Sequence, residues 1–293
     1  MAGLPETARA AARRLSPGHR RWRRLLDSLT LDPDRLPRPV EAPGTRDFVI
    51  CGCPRTGTAL LTGMLFQPPR VVTVMEPWDG MRLPPAELFA SLRAEVATGR
   101  LRRGRLDVSA LERDGSVRWR RDREVEHRVD AAPDHLLGVK WPAFWRYLDL
   151  LPATRFLVCL RDPVATVHSF ARVGGRLAQG LDYDTPFNRA MNESLTTATA
   201  VSAERRVRLY DYINERLLPH LTRPNVLAVR FERWFTEPDA LVAEIGRFLD
   251  VELRPGVARI DSGQAAEPDD EETVALVRRY CRTAQPLGYA DTS

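Results

Sequence analysis

The chain has 293 residues, 43% of them hydrophobic and 28% charged, enough for one large α/β domain or two small ones. Its longest apolar runs, such as "RFLVCL" at 155–160, have strand length and are too short to span a bilayer, and no apolar segment follows the N-terminal charges as a secretory signal would require. The formal net charge of +5 resides in residues 1–46, which hold ten arginines against five acidic residues, so the body of the chain lacks the basic excess of a nucleic-acid binder and no nucleic-acid partner is expected.

Residues 1–45 form a basic N-terminal extension, expected to be helical, around "ARAAARRLSPGHRRWRRLL". One reading of it is a weak contact with an anionic surface. The other, favoured because a single aromatic, Trp22, stands among the arginines and no repeated basic-and-aromatic pattern develops, is a solvated helix leading into the domain. Residues 46–293 then read as one α/β domain. Short apolar, β-branched runs recur at "DFVICG" (47–52), "VVTVM" (71–75), "LLGVK" (136–140), "RFLVCL" (155–160) and "NVLAVR" (225–230). Runs that are apolar on both faces, with helices between them, predict a three-layer fold around a central, mainly five-stranded parallel sheet.

Helices are predicted from Thr58 to Gln67, from Pro85 to Gly99, from Pro142 through "PAFWRYLDL", and from the Asp162-Pro163 cap through "VATVHSFARV". Others fill "FNRAMNESLTTATA", "AERRVRLYDYINERLL", "DALVAEIGRFL" and "EETVALVRRYCRTA". A long insertion at about 77–135 carries a hairpin signal around Asp114-Gly115, either a wall of a substrate pocket or an exposed decoration. The four cysteines, Cys51, Cys53, Cys159 and Cys281, follow no disulfide or zinc spacing, so they are expected as buried thiols in a reduced, cytoplasmic protein.

The loop "GCPRTGTA" after the first strand carries the chemistry. Its backbone N–H groups and the following helix start attract an anion, and Gly52 and Gly57 permit turns that a side chain would hinder. A nucleotide-hydrolysing loop would carry lysine where Thr58 stands and a magnesium-binding hydroxyl where Ala59 stands. A loop without either is poorly equipped to move a γ-phosphate, so no metal is expected. In "FLVCLRDPVATVHSF" the strand ends at Arg161 and Ser169 lies two turns into the helix, a charged fork and a hydroxyl suited to a second phosphate. Of 44 basic residues only Lys140 is lysine, so its place at a strand end selects for a compact ammonium or is codon drift.

"CGCPRTGTALL", "VMEP", "GVKWP", "RDPVATVHSF" and "VLAVRFERWFTEPDAL", in that order, with a "PLGY" ending, resemble the sulfotransferases that use 3′-phosphoadenosine 5′-phosphosulfate. The resemblance covers about residues 46–250. It points to the bacterial, carbohydrate and tyrosylprotein-like branches, because the glycine-rich "RKG" segment of the phenol and steroid enzymes is absent. It implies that Pro54, Arg55, Thr56, Gly57, Thr58 and Ala59 form the 5′-phosphosulfate loop, and that Arg161 and Ser169 hold the 3′-phosphate. Ala59 lacks the second hydroxyl common in this loop.

The implied reaction is in-line sulfuryl transfer to a hydroxyl of a small molecule, lipid or glycan, with Glu76 as base and Lys140 and Arg55 at the reacting group. His135 and His168 are rival bases, and Glu232 is read as a structural hydrogen-bonding residue. Two other functions remain open on residues alone: a P-loop kinase-like phosphotransferase, and a non-catalytic anion-binding module.

Overall fold

A computed structural model of the chain describes residues 31–101, 127–141, 144–183, 185–254 and 271–289. The basic part of the N-terminal extension and the hairpin expected around Asp114-Gly115 lie outside the described residues.

Five parallel strands form the central sheet: β1 Asp47–Gly52, β2 Val71–Met75, β5 Leu136–Lys140, β6 Arg155–Leu160 and β7 Val226–Arg230. Their spatial order is β2-β5-β1-β6-β7. A separate antiparallel pair, β3 Arg100–Leu101 with β4 His127–Arg128, stands at the two described ends of the long insertion. Nine α-helical segments among the described residues are α1 Thr58–Met64, α2 Pro85–Ala97, α3 Pro163–Val173, α4 Gly175–Ala178, α5 Arg189–Ala198, α6 Ser202–Leu217, α7 Arg233–Thr236, α8 Pro238–Leu249 and α9 Glu271–Tyr280.

The period of two along each strand separates two cores. Val49 and Cys51 of β1, Val72 and Val74 of β2, and Phe156 and Val158 of β6 pack with α2, α3, α5, α6 and α9. Phe48, Ile50, Val71, Leu157 and Cys159 face the other way, against α1, α7 and α8. A strand buried on both faces has no polar alternation to show, and all residues of β1, β2 and β5 are buried. No described helix is long and apolar enough to cross a membrane.

Three expected helices differ in extent. α1 stops at Met64 because Gln67 leaves the helix: its side chain donates to Met64 O at 3.0 Å while its backbone exchanges hydrogen bonds with Val71. α9 ends at Tyr280, since the Thr283 N–H is taken by Asp211 Oδ1 at 2.9 Å. The helix expected from Pro142 is a single 3-10 turn, Phe144–Tyr147. Phe144, Trp145 and Tyr147 are all buried there, and an α-helix presenting one apolar stripe would expose one of them. Residues 142 and 143 themselves lie outside the described residues.

All four cysteines are free and buried. Burial pushes the thiols of Cys51, Cys53 and Cys159 well up, and that of Cys281 up to about 11.

Gly138 of β5 pairs with Phe48 of β1, and a Cβ there would sit 2.3 Å from the fully buried Phe48 ring. Neither strand can retreat without breaking the ladder. Gly138→Ala is therefore expected to lower unfolding stability by about 1–3 kcal/mol, read as a lower urea midpoint at unchanged slope. An unshifted midpoint would show that the two strands separate easily.

Candidate active site

α1, which follows β1, packs on the Phe48 side of the sheet, whereas α3, which follows β6, packs on the Val49 side. Neighbouring strands whose connections diverge in this way leave a crevice at their carboxyl ends, where open parallel sheets bind ligands. The predicted residues gather around that edge.

The loop begins where Gly52, at φ 148°, brings β1 against β6: a Cβ there would lie 2.5 Å from Cys159 O. Thr56 is buried and closes the following turn on itself, its N–H and hydroxyl both donating to Cys53 O, at 3.3 and 2.7 Å. Gly57, at φ 92°, is pressed on Phe231, whose ring would meet an added Cβ at 2.5 Å. The buried Thr58 opens α1, and among the described residues its hydroxyl has no protein partner. Pro54 and Ala59 are half-buried on either side of the turn.

Arg55, exposed at the tip, takes φ 70°, a conformation that costs a non-glycine residue about 1–3 kcal/mol. Its Nε donates to Ser169 Oγ at 3.1 Å, and its carbonyl accepts from Arg161 Nη1 at 3.2 Å. The Arg161 guanidinium lies 4.4 Å from the centroid of the Phe231 ring. Two guanidinium groups and one hydroxyl from two strand ends therefore converge. α3 is started by Asp162, whose carboxylate accepts from Ala165 N at 2.8 Å, as its N-cap position requires.

Glu76 follows β2, Lys140 ends the neighbouring strand β5, and the two are bonded twice. Glu76 N donates to Lys140 O at 2.7 Å, and Lys140 Nζ donates to Glu76 Oε1. Glu76 is in the left-handed region at φ 50°, so this pair too stores backbone strain. Their side chains are only 18% and 10% exposed. Among the described residues Glu76 Oε2 and two of the three ammonium protons have no protein partner. A carboxylate with a vacant oxygen can accept a proton, and an ammonium with vacant donors can meet developing negative charge.

The two rival histidines fare differently. His168 is half-buried on α3, one residue before Ser169. His135 precedes β5 and so lies at the amino end of the sheet, about 17 Å of strand away from Lys140. There Arg93 of α2 donates twice to Asp47 Oδ1 and once each to the carbonyls of Arg46 and His135. The cluster ties α2 to the sheet and holds His135, the weaker rival base, at the end of the sheet opposite Glu76 and Lys140.

Sequence reasoning missed Phe231, the ring beneath both Gly57 and Arg161, because an aromatic after a strand carries no signal of what rests on it. It also missed Asp182, a buried residue whose carboxyl is pushed up to about 6 by burial, against the pull of a Tyr183 N–H bond and the charges of Arg146, Arg176 and Lys140. Nothing in "GLDYDTP" marks it. Among the described residues no group of three or more His, Cys, Asp or Glu could hold a metal ion.

A family model described as "Sulfotransferase family" matches residues 47–255. Among solved structures, a sulfotransferase from Alicyclobacillus acidocaldarius is similar at 18% identity and a TM-score of 0.44, over 85% of this chain and 96% of that one. The sulfotransferase domain from the curacin biosynthetic pathway shows 16% identity and a TM-score of 0.43, over 82% and 98%. A sulfotransferase from Mycobacterium avium shows 16% and 0.41, over 90% and 82%. No curated protein matches the chain.

The His135 cluster has a measurable consequence. Burial first, then the Arg93 charge, lower the His135 pKa from 6.5, against a bond to Ala132 O and the charges of Asp47 and Asp134. Below about pH 6.5 the unfolded chain takes up a proton that the folded chain refuses, so this stabilisation is present above that pH and lost as pH falls. His135→Asn is expected to keep turnover, and the stability gap between wild type and variant should narrow from pH 7.5 to 5.5. A gap constant with pH, or a collapse of turnover, would contradict this placement.

Proposed function

The chain belongs to the sulfotransferase family, and from that premise we propose that it moves a sulfuryl group from 3′-phosphoadenosine 5′-phosphosulfate to an acceptor hydroxyl, with Glu76 as the base. The observation that carries this reading is the convergence of Arg55, Arg161 and Ser169 beside the loop, with the Glu76–Lys140 pair on the same edge of the sheet. Residues 46–293 are taken as the catalytic domain.

The donor fits the residues present. Gly52 and Gly57 hold the loop in a turn that a Cβ would drive into Cys159 O and the Phe231 ring, and among the described residues the Thr58 hydroxyl has no protein partner. On this reading Arg55, Gly57 and Thr58 hold the 5′-phosphosulfate with the adjoining Pro54 and Ala59, and Thr56 keeps the turn closed. Arg161 and Ser169 hold the 3′-phosphate. The donor supplies a sulfuryl group already activated on a phosphate. Glu76 Oε2 takes the proton of the acceptor hydroxyl, and Lys140 bears on the charge that builds at the transferring oxygens. Thr58 and Ala59, in place of lysine and a magnesium-binding hydroxyl, speak against a phosphotransferase.

The donor assignment predicts that adenosine 3′,5′-bisphosphate raises the melting temperature without magnesium, and adenosine 5′-phosphate much less, since charged contacts contribute roughly 1.5–3 kcal/mol each. Equal shifts would sink it. For the base, Glu76→Gln should retain affinity for the bisphosphate and lose turnover by about two orders of magnitude or more.

Lys140→Arg keeps the charge but replaces a compact ammonium with a planar fork in a site only 10% exposed. It should lose about a hundredfold in turnover, on the order of 3 kcal/mol in the barrier, with little change in bisphosphate affinity. Wild-type turnover in the arginine variant would mark the single lysine as an accident.

A further inference from the structure

The peptide unit joining Arg161 to Asp162 is gripped at both polar ends. Its carbonyl accepts from the hydroxyl of Tyr210, on α6, at 2.9 Å. Its N–H donates to Glu232 Oε1 at 2.7 Å. A peptide plane held at both ends cannot rotate, so these two bonds set the direction in which Arg161 leaves the backbone. They also set the axis of α3, which begins at the next residue and carries Ser169.

Glu232 is in turn held from the far end of the chain. Its second oxygen, Oε2, accepts from the hydroxyl of Tyr289 at 3.2 Å. Tyr289 ends a tight turn in which its own N–H donates to Ala284 O at 2.9 Å. That turn is fixed on three sides. Thr283 N donates to Asp211, the residue after Tyr210 on α6, and Arg230 donates to Leu287 O while its guanidinium lies 4.9 Å from the Tyr289 ring. Gly288 sits at φ 80°, where an added Cβ would lie 2.9 Å from Arg230 Nη2. Burial and the neighbouring Glu232 push the Tyr289 pKa up, so the phenol remains a donor.

From this chain of contacts we infer that Tyr289 is a positioning residue for the donor's 3′-phosphate, acting through Glu232 on the Arg161–Asp162 peptide. Three consecutive residues after the core of β7 divide the task. Arg230 holds the C-terminal turn, Phe231 supports Gly57 and Arg161, and Glu232 passes the constraint to the start of α3. Without the phenol, one carboxylate oxygen of Glu232 loses its protein partner, and the carboxylate can rotate away from the Asp162 N–H. The reading rests on the donor assignment proposed above.

The test measures adenosine 3′,5′-bisphosphate and adenosine 5′-phosphate binding by calorimetry for wild type, Tyr289→Phe, Glu232→Ala and the double variant, with melting temperatures alongside. Tyr289→Phe should weaken bisphosphate binding by about fivefold and monophosphate binding by less than about twofold, the size of one net hydrogen bond felt at one phosphate. Glu232→Ala should weaken bisphosphate binding at least as much, and adding Tyr289→Phe to it should cost nothing more.

Three results would overturn the inference: wild-type bisphosphate affinity in Tyr289→Phe, equal losses for both nucleotides, or additive losses in the double variant. A wild-type protein with no preference for the bisphosphate is a different result. It would remove the donor assignment and this inference with it, whereas the first three leave that assignment standing.

Discussion

Between Gly52 and the carbonyl of Cys159 there is room for a hydrogen atom and nothing larger, and the carboxyl edge of the sheet is organised around that approach. Because β1 comes so close to β6, the loop that leaves β1 lies within hydrogen-bonding reach of Arg161, two residues beyond Cys159. Phe231 continues the same ladder one strand further, its N–H donating to Leu160 O at 2.8 Å. Its ring then fills the space under Gly57 and Arg161. Three strand ends are thereby braced against one another before any ligand arrives, which is the condition for charged groups to act without reorganising.

The two ends of the sheet treat buried charge in opposite ways. At the amino end Arg93 spends its donors on Asp47 and two carbonyls, and the cluster is closed. Desolvation offsets much of the attraction in such an arrangement, and what the arrangement does is fix one helix against one sheet edge. At the carboxyl end, among the described residues, Lys140 meets a single carboxylate oxygen, and both Glu76 and Arg55 are held in left-handed backbone conformations. A fold keeps strained backbone only where the surrounding packing over-determines it.

The strands were legible because strands buried on both faces read as continuous apolar runs, and four of the five match their predicted limits. The loop and the Arg161–Ser169 spacing were legible for a similar reason, each being a local pattern in an expected strand–loop–helix context. What sequence could not convey were contacts between distant residues. Arg55 and Ser169 are 114 residues apart, and Glu76 and Lys140 are 64 apart. His135 precedes an expected parallel strand, which already places it at the amino end of the sheet, so its eligibility as a rival base overlooked the direction of the strand. The turn at Phe144–Tyr147 was missed because helix-opening proline signals do not record that three neighbouring aromatics must all be buried.

Every cysteine in the chain is packed inside, and burial raises each thiol above its ordinary range. The thiolate is the species that reacts with maleimides and iodoacetamides, so the folded native protein is nearly silent to such reagents. A single cysteine introduced on the surface would then be the one reactive handle. Dyes, spin labels or crosslinkers could be attached there without first stripping the chain of its own sulfur and loosening the two cores that sulfur helps to fill.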